Sequence, residues 1–190
     1  MKIKYLSLFF IVCCCSFTQP TPEKMLWSEK PLNWMDFNGT PKPGTRLDIY
    51  SSMASAIQMG SPLVVDNEIH FTIAAWFFLN DSWVQEPITR TRKGYKPELL
   101  RHQCQFNLTE LYARKLRKAL SENEFTMDGY KEKTAHLYEV FRDRFAAERK
   151  RFSDEMALTP LRIDDWVSAV NDELKILSKF SDTLVVVKMR

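Results

Sequence analysis

Residues 99–116 read LLRHQCQFNLTELYARKL, and this stretch decides the fold. Pro97, two positions earlier, suits the first turn of a helix, where its missing N–H would have no partner anyway. Apolar residues then recur three and four positions apart, which is the spacing of one helix face; they are Leu100, Cys104, Leu108, Leu111, Tyr112, Leu116 and Leu120. The pattern predicts a long helix with one buried face.

The rest of the C-terminal half is also predicted to be helical. Thr126 is the predicted cap of a second helix, whose opposite face carries the runs RDR and ERKR and is interpreted as solvated surface. Thr159-Pro160 opens a third helix, with Asp164 and Asp165 near its positive N-terminus. The predicted buried positions are Tyr130, Thr134, Leu137, Phe141, Phe145, Phe152 and Met156 in the second helix, and Trp166, Val170, Leu174 and Leu177 in the third.

The N-terminal half alternates short apolar runs with turn signals such as Asn-Gly and Pro-Gly, which is typical of β-structure. The predicted strands are residues 47–59, 63–65, 69–79 and 83–85, with one more at residues 183–188. The sequence therefore predicts an α+β fold, in which a small, mostly antiparallel sheet packs against a layer of about three long helices.

Composition narrows the class of protein. The chain has 190 residues, 45% of them hydrophobic, and 27 Lys and Arg against 24 Asp and Glu give a formal net charge of +3. This apolar content is enough for a folded core, which excludes a mainly disordered chain. A charge so close to zero gives no electrostatic case for binding nucleic acid, so no nucleic-acid partner is expected.

The N-terminus has the pattern of a secretory signal. A short basic start with Lys2 and Lys4 precedes the eleven-residue apolar run YLSLFFIVCCC, which is too short for the roughly 20 residues of a membrane-spanning helix. We predict a signal peptide over residues 1–18, an exposed segment over residues 19–30 and a single domain over residues 31–190. The protein is then exported, to the periplasm or the extracellular space, with no transmembrane helix.

The cysteines leave one alternative open. Cys13, Cys14 and Cys15 end the apolar run, and one of them could carry a lipid anchor. The residue before such a cysteine is normally small, and here it is Val12 or another cysteine, so plain cleavage is preferred. Cys104 is then the one thiol of the mature chain, and we expect it to be buried and inert.

Two motifs resemble those of a family of exported bacterial proteins called domain of unknown function 922, regarded as zinc-dependent peptidases. Residues 99–116 resemble the family helix L-x-H-E-Q-x-H-F-D-[IL]-x-E-[LI]-x-A-R-[KR]-L. Residues 31–41, PLNWMDFNGTP, resemble its pattern L-x-W-x-D-F-x-G-x-P. The resemblance covers about residues 30–178 and implies a peptidase-like domain with a zinc cofactor.

The zinc chemistry needs residues that this chain lacks. In H-E-x-x-H, two imidazoles one turn apart bind zinc at about 2.0–2.1 Å and the Glu is the general base. The gapless alignment places Arg101, His102 and Gln105 at these three positions, and Leu158 at the family's further histidine. Placing His102 on the first ligand instead requires a deletion that rotates all later residues by about 100°.

These departures predict a catalytically inactive homologue with a non-enzymatic binding or scaffolding role in the cell envelope. We expect no catalytic residue, cofactor or bound metal at the vestigial positions Arg101, His102, Gln105 and Leu158, and we expect a peptide or an envelope protein as partner. The alternative is a zinc-dependent peptidase that uses His102, the one remaining metal candidate, with non-standard ligands. His70 and His136 would both have to converge on His102 to rebuild a three-histidine site.

Overall fold

A computed structural model describes residues 23–28, 30–41, 45, 51–85 and 96–190. Its sheet is organised around one long strand, β5 (Glu68–Phe78), whose alternate side chains from Ile69 to Phe77 are fully buried. Strands β3 (Ser55–Met59) and β4 (Leu63–Val65) pair with one side of β5. Strands β1 (Lys24–Leu26) and β7 (Leu184–Lys188) pair with the other side.

All of these pairings are antiparallel. Two short strands, β2 (Ser51–Ser52) and β6 (Trp83–Val84), extend the β3–β5 ribbon beyond its end. Gly39 lies against this ribbon, where an added Cβ would come within 2.4 Å of the Asn80 carbonyl oxygen, so only glycine fits there.

Three helices form the other layers: α1 (Lys96–Ser121), α2 (Tyr130–Leu158) and α3 (Ile163–Ile176). Helix α1 packs on the buried face of the sheet, and α2 and α3 pack on the opposite side of α1. This position explains why α1 buries Phe106 and Ala113 as well as its predicted stripe. The predicted α+β class is confirmed, with the antiparallel sheet in the N-terminal half and the three helices in the C-terminal half.

The structure differs from the sequence prediction at several element boundaries, and the strand predicted over residues 47–59 is divided, within its described part, into β2 and β3. The segment expected to be exposed over residues 19–30 contributes β1, in which Met25 is buried. Helix α2 begins at Tyr130 with Gly129 at its N-cap, so Thr126 does not cap it with its side chain. A short 3₁₀ turn, Pro160–Arg162, comes before α3. The predicted signal peptide and Cys13, Cys14 and Cys15 lie outside the described residues.

A buried ion cluster joins α1 to its neighbours. The Glu110 carboxylate accepts hydrogen bonds from Arg114 Nε at 2.8 Å and from Arg117 Nη2 at 2.9 Å. Arg114 also donates to the Leu174 carbonyl of α3, and Arg117 donates to the Ile73 carbonyl of β5. All three charged side chains are nearly inaccessible to solvent. Apolar periodicity alone could not reveal this cluster.

The outer face of the sheet has no covering layer among the described residues. Its exposed apolar side chains include Leu63, Val65, Leu184 and Val186, and the half-buried His70 lies between Leu63 and Val186 in the strand register. No described helix has the length and apolar content to cross a bilayer.

Candidate functional site

The two motifs that the sequence singled out contact each other. Residues 31–41 include the 3₁₀ turn Trp34–Asp36, which packs against the first half of α1. The Leu32 backbone N–H donates to Gln103 Oε1 at 2.8 Å. The rings of Trp34 and Phe37 lie 6.0 and 5.2 Å from the His102 ring, between centroids. His102 is therefore enclosed by aromatic side chains from the other motif.

The four vestigial positions have different surroundings. Arg101 and Gln105 are half-buried and lie one turn apart on α1. His102 is only 2% exposed, whereas Leu158, at the end of α2, is 84% exposed. The structure brings Arg101 and His102 together on one carboxylate, that of Glu98.

Glu98 is the centre of this hydrogen-bonded cluster. Two guanidinium nitrogens of Arg101, Nε and Nη2, donate hydrogen bonds to the Glu98 carboxylate. The distance from Nε to Glu98 Oε2 is 3.0 Å. The Ser51 hydroxyl, from β2, donates to Glu98 Oε1 at 2.9 Å. His102 Nε2 lies 2.9 Å from the same hydroxyl oxygen. Helix α1 and the β2–β6 ribbon are thus joined through polar side chains.

This geometry fixes the tautomer of His102. An ionised carboxylate can only accept hydrogen bonds, so the Ser51 hydroxyl hydrogen points to Glu98. The hydroxyl oxygen is then an acceptor for His102, which must carry its hydrogen on Nε2. The remaining lone pair is on Nδ1, which is buried and has no partner among the described residues.

The pKa values follow from these surroundings. Burial lowers the pKa of His102 to about 4; the nearby Glu98 carboxylate opposes this change, and the Arg101 charge adds to it. Burial raises the pKa of Glu98, but the hydrogen bond and charge of Arg101 outweigh burial and leave it below its ordinary value. Burial also raises the pKa of the Cys104 thiol to about 12, so this cysteine is unreactive near neutral pH.

The donor set at these positions does not fit zinc. A guanidinium has no electron pair to donate, leucine has none, and an amide is a poor ligand beside histidine or cysteine. Within the described parts of the chain, no three His, Cys, Asp or Glu side chains come together at a possible metal position. His70 is on β5 beside Glu68, and His136 is exposed on α2.

Sequence reasoning missed two members of the cluster, Glu98 and Ser51. Glu98 and His102 have the i,i+4 spacing of neighbours on a helix face, and that signal could have found the first. Ser51 reaches the helix only because β2 is held by β6, and a pairing between residues 51 and 84 leaves no local signal.

A second polar site lies between the three helices. This cavity of about 290 Å³ has Trp166 in its wall, with the Arg151 guanidinium 4.4 Å from the ring centroid. Arg151 also pairs with Glu148 and lies 3.5 Å from Glu155, which accepts a hydrogen bond from Trp166 Nε1 at 2.9 Å. Arg151, in the ERKR run, stacks on this ring but is still 56% exposed, in line with the solvated surface expected there. Among the described residues its lining carries more carboxylates than guanidinium groups, with Glu148, Glu155, Asp165 and Glu173 against Arg151 and Arg162.

Comparison of the chain with known protein families, with curated proteins and with solved structures finds no match in any of the three.

Proposed function

We propose that this protein is a catalytically inactive relative of zinc peptidases, with a non-enzymatic binding or scaffolding role in the cell envelope. One observation carries the proposal: two of the three side chains at the H-E-x-x-H positions, Arg101 and His102, are hydrogen-bonded to neighbouring side chains of the protein. Arg101 is bonded to Glu98, and His102 is bonded to Ser51. In this cluster the polar groups of Arg101 and His102 are bonded to Glu98 and Ser51, whereas a hydrolase would direct the groups at these positions at metal, water and substrate.

The contact between the two motifs supports the same conclusion. His102 packs between Trp34 and Phe37, so its side chain has a structural part in joining residues 31–41 to α1. A general base needs access to the proton that it abstracts, and a side chain that is 2% exposed lacks this access. The envelope location is the part of the proposal that depends on the signal-like residues 1–18.

The first test is the metal content of the purified full-length chain. We expect substoichiometric zinc after dialysis against a zinc buffer, with no change in melting temperature on adding a chelator, because the required ligands are absent. Elemental analysis and a thermal melt measure both quantities. Stoichiometric zinc that disappears in His102→Ala but remains in His136→Ala would overturn the proposal.

Restoring the ligands provides the converse test. The variant with Arg101→His, Gln105→His and Leu158→His places three imidazoles at the family's ligand positions and leaves the buried His102 unchanged. We expect zinc affinity at least about tenfold above that of the parent, since three neutral imidazoles form a catalytic-type set. Isothermal titration measures the gain, and an unchanged affinity in a folded variant would contradict the alignment.

One observation favours a second candidate function, a zinc-dependent hydrolase that uses His102. Its Nδ1 lone pair is buried without a partner among the described residues, and neutral imidazole nitrogen is a zinc ligand. This candidate needs further ligands that come from elsewhere in the chain. The His102→Ala comparison above separates the two functions, because only this second candidate loses metal in that variant.

A further inference from the structure

A cleft runs between the edge of the sheet and α2. Within the described parts of the chain, strand β3 pairs with β5 on one side and has no strand on the other. The Ala54 carbonyl and the Gly60 N–H bond to β5, so the backbone groups of the alternate residues Ser55 and Ile57 point outward. The Ile57 carbonyl accepts a hydrogen bond from Tyr138 Oη of α2 at 3.0 Å. None of the described residues pairs with the outward N–H groups of Ser55 and Ile57.

The cleft holds a cavity of about 230 Å³ that is mainly apolar. Its floor is β3 and Leu116 of α1, and its far wall is α2, with Phe141 and Phe145. Tyr138 closes one end, at the Ile57 carbonyl. The cavity can hold one large apolar side chain, but it does not suit a polypeptide that continues past Tyr138.

The charges at the cleft are all positive. Arg142 and Arg149 line it from α2, two turns or about 10 Å apart along the helix axis. Arg142 pairs only weakly with the exposed Asp143, at 3.3 Å, and Arg149 stacks 5.6 Å from the Phe145 ring centroid. No acidic side chain lines the cavity, and among the described residues Arg149 has no carboxylate partner.

We infer that this cleft binds the C-terminal end of an extended peptide: the terminal apolar side chain fills the cavity and the free carboxylate pairs with Arg142. The inference rests on the proposed binding function and specifies its ligand class. The main chain of a peptide can supply hydrogen-bond acceptors to the outward N–H groups of Ser55 and Ile57. A fatty acid offers the same apolar body and carboxylate but has no group that could pair with that strand edge.

The blocked end explains why a chain terminus fits better than an internal segment. A strand added along the whole of β3 would have to displace the Tyr138 hydroxyl from the Ile57 carbonyl. A peptide that ends in front of Tyr138 leaves that bond intact. Its carboxylate then lies near Arg142, which follows Tyr138 by about one turn of α2, whereas Arg149 is about three turns from Tyr138 at the other end of the cleft.

Fluorescence anisotropy with the full-length chain tests the inference. The probes are four labelled octapeptides, Gly-Ser-Thr-Val-Thr-Val-Thr followed by Phe, Leu, Ile or Val, each with a free carboxylate. We expect saturable binding of at least one of them, and at least about tenfold weaker binding of the same peptide with a C-terminal amide, because charge-assisted hydrogen bonds are lost. Absence of binding by all four, or equal affinity of acid and amide, would overturn the inference.

Matched variants locate the binding. Ala146→Phe adds a ring at an exposed helix position that lines the cavity, so it should abolish binding without unfolding the protein. Arg142→Gln should weaken binding about tenfold, whereas Lys150→Gln, which removes the same charge about two turns further along α2 and outside the cavity lining, should leave it unchanged. Peptide binding that survives Ala146→Phe would contradict the assignment of the cleft. Binding of dodecanoate without binding of any peptide would contradict it as well.

The outcomes also separate this inference from the proposed function. Peptide that is bound and then cleaved, as detected by mass spectrometry, would contradict the proposed inactivity and leave the cleft assignment standing. Failure of the peptides to bind a zinc-free, inactive protein would overturn the cleft assignment alone.

Discussion

At the scale of single residues, the surroundings of His102 give it a role unlike that of a catalytic base. Its ring carries hydrogen on Nε2, which is bonded to Ser51, and protonating Nδ1 would bury a charge with no acceptor. The pKa of about 4 means that the ring is neutral at pH 7. A base that must hold a proton during turnover works best with a pKa near the working pH, which this histidine does not have.

The pH dependence of stability follows from that lowered pKa. The unfolded histidine titrates at 6.5 and the folded one at about 4, so the unfolded chain binds more protons between these values. The contribution of His102 to the free energy of unfolding should therefore be constant above about pH 7 and fall on the order of 1–2 kcal/mol between pH 6.5 and pH 5. Urea unfolding at a series of pH values measures it.

Two variants check the origin of this effect. His102→Gln keeps a donor for Ser51 but cannot titrate, so its stability should be flatter between pH 6.5 and pH 5. His136→Gln, at an exposed position of α2, should reproduce the parent curve. The stability that ionised Glu98 contributes is also lost as the pH falls. Because the folded pKa of Glu98 is below its ordinary 4.5, this loss occurs at more acid pH than that of His102. A parent-like slope in His102→Gln would rule out this explanation.

At the scale of elements, α1 is held on both sides by different kinds of contact. Its apolar residues pack against the sheet and the other helices, and Glu110 with two arginines bonds to carbonyl groups of β5 and α3. Because Arg117 is 1% exposed, its charge depends on Glu110 for compensation. The cluster fixes the rotation of α1 about its axis, and with it the direction of Glu98 and His102.

Removing the carboxylate should therefore be costly. Glu110→Gln keeps the shape but leaves Arg114 and Arg117 buried without a counter-charge, so we expect a loss of about 3–5 kcal/mol in the free energy of unfolding. Glu173→Gln breaks the partly exposed pair with Lys115 and should cost less than about 1 kcal/mol. Urea titration compares the two, and equal effects would show that burial does not govern the cost.

The sequence predicted the elements whose patterns are local. Apart from the half-buried Tyr112, the stripe from Cys104 to Leu120 is buried as expected, and so are Trp166 and Val170, because a helix presents its face through short-range spacing. Strand β1 was missed, since three residues carry no measurable alternation and form a strand only by pairing with β5. For the same reason Ser51 could not be connected with α1 before the β2–β6 pairing was known.

At the scale of the whole molecule, the fold depends on pairings between distant parts of the chain. Strand β5 has a neighbour from near the N-terminus, β1, and another from the C-terminal end, β7. Strand β7 alternates sharply: Val185 and Val187 face the core, while Val186 is 45% exposed on the outer face. The sheet is thus completed by β7, whose residues follow α1, α2 and α3 in the chain.

This alternation allows a matched test within one strand. Val187→Asp would bury a charge with no partner beneath the sheet, so we expect at least about 3 kcal/mol of destabilisation or no folding. Val186→Asp puts the same side chain on the outer face and should change stability by less than about 1 kcal/mol. Circular dichroism melts measure both variants, and similar losses would contradict the described register.

The position of β7 has a consequence for how the protein is made. On the ribosome, β5 emerges more than one hundred residues before the strand that flanks it on one side. The nascent chain can form its helices early but must wait for residue 188 before its central strand is fully flanked. Until that strand has emerged, the outward backbone groups on this side of β5 stay without their strand partner.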